Sequence, residues 1–565
     1  MCKVKTTLMS AAMLILSFGL PAGRNPLVGV GPAYADTAVL VKTIIGPDTV
    51  TFFGNSIGVG DFNADGGIDM IIGASDLSGS IGSPGWAYMY YGGSVFDSLW
   101  DVQYHGVQGG AGDWTAYGSA VSSAGDFYSD GYTDIVIGSP GYDAPNSNGR
   151  VYLYKGGPEA DTVPLWVRTG ASFAGLGYAV HCLGDLDMDG CSDIIAGAPG
   201  NYLVGGHDGN AYIYLGDSTI AGADSVPDYE LWGAGDRTNE NFGCSFTSGD
   251  INGDSWPDVI VGAPGSSTDT SICGRVYAFF GSSSFDTNYD LFFEGRQKTA
   301  FFGRSISHGD FNNDGYEDVI VGEYGYNSNT GRAYIYLGGA SPDTVPDLIL
   351  NGEQTGESFG YQVCGAGDLN GDSIDDYIIS APWHTTATDS FAGKIYLYYG
   401  GTALDTLPDV VITGWDYKDR IGRTISALGD INNDGKREFA ILKWIRLSSE
   451  YLKILVYQIN VNGVEGNNEG LIMNKLLLFQ NQPNPFKNRT TISYKLPKSV
   501  TANLSIYNIT GQRVKTLVNG IKPAGEYNVY WDGRNDNGEL SPNGVYFYTL
   551  KINNYLTTKK AILLK

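Results

Sequence analysis

The stretch "GDFNNDGYEDVIVG", residues 309–322, sets Asp310, Asp314 and Asp318 at four-residue intervals, with Asn312 and Gly315 between them, and runs straight into an apolar, β-branched segment. At about 5 Å, two unneutralised carboxylates repel by roughly 0.8 kcal/mol in water and about 3 kcal/mol at an effective dielectric of 20. A turn that crowds like charges in this way needs a compensating partner.

The stretch is one of seven. "GDFNADGGID" begins at 60, "GDFYSDGYTD" at 125, "GDLDMDGCSD" at 184, "GDINGDSWPD" at 249, "GDFNNDGYED" at 309, "GDLNGDSIDD" at 367 and "GDINNDGKRE" at 429. The first aspartates, at 61, 126, 185, 250, 310, 368 and 430, recur every 58 to 65 residues. Other features keep this phase. An aromatic-Gly pair stands upstream (Phe53-Gly54, Tyr117-Gly118, Phe242-Gly243, Phe302-Gly303, Phe359-Gly360), replaced by Leu176-Gly177 and Ile421-Gly422 in copies three and seven. After each acidic loop comes a buried-looking strand ending in small residues, such as "DIVIGSPG" or "DVIVGAPG". A second strand follows ("GRVYLYKGG", "GRAYIYLGG"), then a turn such as "DTVPD" and a strand ending in Gly. Each unit is therefore four short strands in about 60 residues.

A four-stranded sheet cannot bury both faces alone. Radial stacking of such sheets does so, which predicts an all-β, seven-bladed β-propeller. The segment "AVLVKTIIG" (38–46) precedes the first Phe-Gly pair as "VVITG" precedes the seventh copy, so the start of the repeat region is expected to pair into the last blade and close the ring. An open stack would leave bare sheet edges.

Composition agrees. Of 565 residues, 80 are Gly and 38 Tyr, a strand-and-turn composition, and the length calls for at least two domains. The formal charge is −26. From Lys475 onward, 13 Lys/Arg against 4 Asp/Glu leave +9, so the remainder carries about −35. An acidic body disfavours nucleic acid and anionic lipid as partners and favours cations.

These motifs resemble the FG-GAP repeats of the integrin α-subunit propeller and of many bacterial surface proteins, over residues from about 37 to 460. The resemblance implies that the acidic loops are calcium-binding hairpins. Ca2+ takes six to eight oxygens at about 2.3–2.6 Å, and loop positions 1, 3, 5 and 9 supply side-chain oxygens, position 7 a carbonyl, with Gly at 6. The expected ligands are Asp61, Asn63, Asp65 and Asp69; Asp126, Asp130 and Asp134; Asp185, Asp187, Asp189 and Asp193; Asp250, Asn252, Asp254 and Asp258; Asp310, Asn312, Asp314 and Asp318; Asp368, Asn370, Asp372 and Asp376; and Asp430, Asn432, Asp434 and Glu438. An EF-hand instead ends in Glu at position 12 and sits between helices. In the second copy Tyr128 at position 3 leaves that ligand to water; the seventh, ending in Glu438, reads as weak or empty. Ser255 and Ser373 stand where Gly is usual. The ligand positions hold 22 carboxylates, and seven Ca2+ would take −26 to about −12. The bland alternative is an Asx-rich hairpin turn, which needs no metal; seven inward-aimed carboxylate sets argue against it.

Outside the repeats, "MCKVKTTLMSAAMLILSFGLPAG" has Lys3 and Lys5 before a 13-residue apolar stretch, too short to span a bilayer, and reads as a secretory signal over 1–35. Residues 36–462 are assigned to the propeller, 463–478 to a linker, and 479–565 to an Ig-like β-sandwich of alternating strands and turns. That last segment resembles the C-terminal sorting domain of bacterial type IX secretion, through Pro483-Asn484-Pro485, Gly511, Val514, Gly544-Val545-Tyr546-Phe547-Tyr548 and "KKAILLK" (559–565). The resemblance implies engagement of that secretion machinery and a secreted or surface-displayed product. No later run is long enough for a membrane helix. Cys182, Cys191, Cys244, Cys273 and Cys364 read mostly as small buried fillers, with Cys244–Cys273 as an optional bridge.

Catalytic look-alikes are weak. "GNSIG" (54–58) matches Gly-x-Ser-x-Gly but coincides with the Phe-Gly strand. "DLSGS" (76–80) matches an adhesion-domain metal motif that belongs in an α/β setting. His105, His181, His207, His308 and His384 show no ligand spacing. The sequence thus reads as a non-catalytic extracellular binding or adhesion module. Its protein or glycan ligand would meet the face opposite the calcium loops, where Trp114, Tyr142, Trp383, Trp415 and Tyr417 could stack on it or simply pack. The alternative is a polysaccharide- or phospholipid-active secreted enzyme on the same scaffold.

Overall fold

The structure is a computed structural model. It describes residues 36–564 apart from 48–51, 76–84, 107–114, 142–147, 201–208, 219–225, 235–239, 266–272, 415–417, 445–451, 462–476 and a few shorter loop pieces. The signal segment, "DLSGS", His207, Trp114, Tyr142, Trp415, Tyr417 and all but the end of the linker lie outside the described residues.

Seven four-stranded antiparallel sheets form the blades, at residues 52–105, 120–169, 180–232, 245–294, 306–351, 363–413, and 425–460 together with 37–45. In six blades the four strands follow chain order. In the seventh, the strand Thr37–Ile45 pairs antiparallel with Lys453–Asn460, Ile44 opposite Ile454. The first strands of successive blades pack side by side, and Ile425–Gly429 returns to Phe52–Gly60. The fold is a closed seven-bladed propeller with its two repeat-region ends sewn into one blade.

The second strand of each blade is buried along its whole length, as in Asp69–Ser75 or Asp258–Ala263. This explains its unbroken apolar sequence, since both sheet faces are covered by neighbouring blades. The cores lie between blades: Phe62, Ile71 and Met89 of blade 1 cluster with Tyr117, Ile135 and Tyr152 of blade 2. The aromatic of each aromatic-Gly pair is driven into these seams, with Phe53, Tyr117, Phe242 and Phe302 fully buried. Its glycine makes the close approach between blades. A Cβ on Gly118 (φ +78°) would meet Trp86 O at 2.2 Å, and one on Gly73 would meet Gly118 O at 2.1 Å. The Phe-Gly and Gly-Ala-Pro elements are therefore the two sides of one backbone contact.

The C-terminal domain is a sandwich of two sheets. Leu477–Leu478, Thr490–Leu496 and Gly525–Trp531 form one; Arg513–Lys522, Val500–Asn508, Gly544–Ile552 and Tyr555–Leu563 form the other. Trp531, Tyr548, Leu504 and Leu563 are among its buried core. Leu477–Leu478, assigned above to the linker, pair with Lys495 and Tyr494, so the sandwich begins there. No disulfide joins Cys244 to Cys273. All five described cysteines are thiols; Cys191 is buried and the others are half-buried as whole residues, but burial pushes the Cys182, Cys191, Cys244 and Cys364 thiols up, as expected of packed small side chains.

Candidate metal centres

Every acidic loop connects the first strand of a blade to its second. The Gly before position 1 ends one strand, and the residue at position 9 starts the next, directly opposite it (Gly60 with Asp69, Gly309 with Asp318). Burial is graded along the loop. Position 1 is half-buried, position 5 mostly exposed, and position 9 fully buried in Asp69, Asp134, Asp193, Asp258, Asp318, Asp376 and Glu438.

Backbone amides supply part of the compensation that the sequence demands. In all seven loops the position 5 amide donates to one oxygen of position 1 and the position 6 amide to the other, as Asp314 and Gly315 do to Asp310 at 3.0 and 2.9 Å. The position 7 amide donates to position 5 (Tyr316 to Asp314, 3.0 Å), and the position 2 amide to position 9 (Phe311 to Asp318, 3.0 Å). In six blades a glycine closing the third strand donates to the other oxygen of position 9: Gly92, Gly156, Gly216, Gly281, Gly338 and Gly400. Sequence reasoning misses these glycines as functional residues, although the Tyr-x-Gly ending of the third strand recurs in phase.

The amides do not finish the task. Burial, reinforced by the neighbouring carboxylates, pushes Asp69 up to about 6 and Asp134, Asp193, Asp258, Asp318 and Glu438 up to about 7, and holds Asp376 well above the carboxylate range. Without further positive charge, the loops retain protons that free carboxylic acids would release.

The loops differ in where that charge can come from. In the third, Asp185, Asp187 and Asp193 each place one oxygen within 4.8 Å of the others; among the described residues no other group of acids, histidines or cysteines does so. Asp189 stands outside this trio, its Oδ1 taken by the Cys191 amide. An all-oxygen set of this kind suits a hard cation such as Ca2+. Where position 3 is Asn, its carboxamide lies between acids: Asn63 and Asn312 donate to Asp65 and Asp314, while Asn252 and Asn370 reach Asp258 and Asp376 at 3.4 Å. A cation in those loops would have to turn the carboxamide so that its oxygen faces inward.

Loops two and seven carry donors of their own. Tyr128 is 5% exposed, packs edge-on against Phe127 and belongs to the core, so it offers the second loop no ligand. Lys155, directly after the third strand, instead forms an ion pair with Asp130. In the seventh loop Asn432 donates to Glu438 at 2.8 Å, and the Gln458 carboxamide, turned so that its nitrogen faces the acids, donates to Asp434 at 3.1 Å and Glu438 at 2.9 Å.

The backbone bend also differs from expectation. Positions 4 and 6 are both left-handed, as in Asn313 (φ 59°) and Gly315 (φ 91°). Loops four and six place Gly253 and Gly371 at position 4 and Ser255 and Ser373 at position 6, so each of these seven loops has one glycine for two left-handed sites. The serines are an exchange of position, not a defect.

The remaining candidates resolve structurally. Ser56 of "GNSIG" bonds Val121 across the first blade seam, accepting from its amide at 3.0 Å. His181 and His308 are half-buried on first strands, beside Ser248 and Thr247. His384 is buried and pairs with Glu357 at 2.5 Å. Trp383 is half-buried.

The fold and these loops define an all-β propeller protein with an Ig-like C-terminal domain. The FG-GAP repeat family matches residues 117–154, 181–214, 242–279, 302–336 and 359–398, which are blades two to six, and the FlgD Ig-like domain family matches 482–555. Integrin alpha-5 of Xenopus laevis is 34% identical over 146 residues, 25% of this chain and 14% of its own length. Phosphatidylinositol-glycan-specific phospholipase D of Bos taurus is 26% identical over 379 residues, 59% of this chain and 44% of its own. Integrin alpha-8 of Homo sapiens is 28% identical over 252 residues, 40% and 22% respectively. The chain thus spans less than half the length of each of these relatives. Among solved structures, PorZ, titled an essential bacterial surface component of the type-IX secretion system of Porphyromonas gingivalis, overlaps 92% of this chain and 60% of its own at 12% identity and a TM-score of 0.35, too low to equate the folds.

Proposed function

We propose that this protein is a calcium-stabilised, non-catalytic binding or adhesion module that works outside a bacterial cell, delivered there through its C-terminal domain. The observation that carries the reading is the third loop, where three carboxylates converge with no side-chain cation among the described residues, in a fold that repeats the same loop seven times on one face. The likeness to integrin α chains supports a divalent-cation propeller used for recognition, with the protein or glycan ligand on the face opposite the loops. The Pro483-Asn484-Pro485 and Gly544–Tyr548 features of the Ig-like domain support its use in export and sorting. The test is calcium content by elemental analysis of the purified full chain, together with binding screens on glycan and matrix-protein arrays. Absence of bound calcium would remove the metal half of the proposal, and absence of any ligand the other half.

A second reading, a phospholipid-active enzyme, has one favouring observation: the alignment to the phospholipase D over 59% of this chain. Product analysis on phosphatidylinositol-glycan substrates decides between them.

A further inference from the structure

On the face opposite the acidic loops, in blades three, five and six, the residue after the aromatic-Gly pair, or after Leu176-Gly177 in blade three, lies just before the first strand of its blade. These residues are Tyr178, Arg304 and Tyr361. The Arg304 guanidinium lies 5.9 Å from the centre of the Tyr178 ring, and Tyr178, Cys244, Tyr361 and Tyr324 dominate its electrostatic surroundings. No carboxylate is among these groups, and the guanidinium forms no hydrogen bond or ion pair with a described residue. On a domain whose excess of acid disfavours polyanions as a whole, such a group can hold an acid only locally, through direct guanidinium contact. A guanidinium carries five N–H donors, and one set among aromatic rings without an acceptor is costly unless something from outside supplies one. The same position in blade seven repeats the arrangement: Arg423 sits 4.4 Å from the Trp444 ring centre and meets no carboxylate among the described residues.

Beside Arg304 runs a row of rings. Phe301 stacks on Tyr324 at 5.1 Å, Tyr324 meets Tyr361 at 5.3 Å, and Tyr361 meets Trp383 at 4.9 Å. The seam aromatics of the propeller are fully buried, whereas these four are half-buried and keep ring surface open to solvent. Rings in a row offer stacking faces for flat, partly apolar groups, and an unpaired guanidinium offers bidentate hydrogen bonds to a carboxylate or sulfate. A pyranose bearing an acid group combines both. A peptide would instead look for an open strand edge, and here the first strands are paired within their blades and flanked by their neighbours.

We propose that this rim binds an acidic glycan, with Arg304 taking the carboxylate or sulfate and the Tyr361–Trp383 row taking the sugar face. The proposal rests on the binding-module reading above and names its ligand class. The test uses the full chain in calcium-containing buffer, titrated with polygalacturonate (carboxylate source), heparin (sulfate source), dextran (neutral glycan) and polyglutamate (acidic peptide). Binding of at least one acidic glycan, with quenching of Trp383 fluorescence (judged against Trp383→Phe) and little response to dextran or polyglutamate, is the expected result. Arg304→Gln should weaken it at least tenfold without changing the melting temperature, and Arg304→Lys should restore part of it. Equal binding of dextran or polyglutamate, or an Arg304→Gln variant that binds as well as the parent, overturns the proposal. Should Arg304→Gln fail to fold, Trp383→Ala and competition by free galacturonate decide the matter on soluble protein: binding that neither one weakens overturns the proposal. A neutral glycan or a protein captured through Trp383 would sink the acidic-glycan assignment while leaving the binding module standing; a face that captures nothing on glycan or matrix arrays sinks both.

Discussion

Asp193 Oδ1 accepts a hydrogen bond from the Gly216 amide at 2.7 Å, while its Oδ2 accepts one from Leu186 at 2.6 Å. One buried carboxylate thereby ties the acidic loop, the second strand and the end of the third strand together. Its partner in the converging trio, Asp187, is exposed and holds only its local turn. The two aspartates should therefore fail in different ways. Asp193→Asn puts an N–H donor against a backbone donor and should destabilise the protein by about 2–3 kcal/mol with or without calcium. Asp187→Asn should leave calcium-free stability within about 0.5 kcal/mol and reduce only the gain on adding calcium. Urea unfolding in calcium and in chelator separates the two; equal calcium-dependent losses would show that Asp193 is a ligand first and a strut second.

Chelation is the broader experiment. A cation bound at a hundred times its dissociation constant stabilises the folded state by about 2.7 kcal/mol per site. The third loop, and the four loops whose position 3 Asn donates to one acid with no rival side-chain donor among the described residues, are the expected sites. Lys155 at Asp130 and Gln458 at Glu438 already serve loops two and seven. Elemental analysis should find about five ions per chain, on the order of one per such loop. A strong chelator should lower the melting temperature by well over about 10 °C, since several sites add. A melting curve indifferent to chelator would mean that amides and protons alone hold the loops.

The blade count, the strand order within blades and the positions of the acidic loops were legible because each repeats in phase, and a turn with three carboxylates stands out against any background. Ring closure was legible from one apolar strand, "AVLVKTIIG", with no partner of its own. Other features depend on contacts between distant residues. Nothing local to Lys155 marks it as the cation for Asp130, since the pair forms only once the third strand lies beside the loop. Tyr128 occupies a ligand position by spacing, but Phe127 and the blade seam draw its ring inward. The exchange of Gly253 for Ser255 needed the backbone angles, because sequence spacing does not show that position 4 is also left-handed. Cys244 and Cys273 invited a bridge on count alone; proximity in the chain does not bring thiols together.

Ring closure yields its own prediction. Ile44 is fully buried opposite Ile454, in the only strand that joins the start of the repeat region to its end among the described residues. Ile44→Ala should cost about 2–4 kcal/mol, as for other large-to-small core changes. Hydrogen exchange should show the loss concentrated in blade seven and in the first strand of blade one. Protection lost evenly across all seven blades would mean that the ring unfolds as one unit.

The close approach of blades can be isolated from the cost of a left-handed backbone. Gly66 and Gly118 have nearly the same φ, +85° and +78°. A Cβ on Gly66 would meet nothing within 4 Å, whereas one on Gly118 would meet Trp86 O at 2.2 Å and Ala74 N at 3.2 Å. Gly66→Ala should therefore cost only the conformational term, about 1–2 kcal/mol. Gly118→Ala adds a collision between two backbones that neither blade can relieve by a rotamer change, and should exceed that by at least about 2 kcal/mol or abolish soluble expression. Thermal melts of the two variants, side by side in calcium, measure the difference. Equal losses would place the role of the aromatic-Gly pair in local backbone geometry and not in the seam between blades.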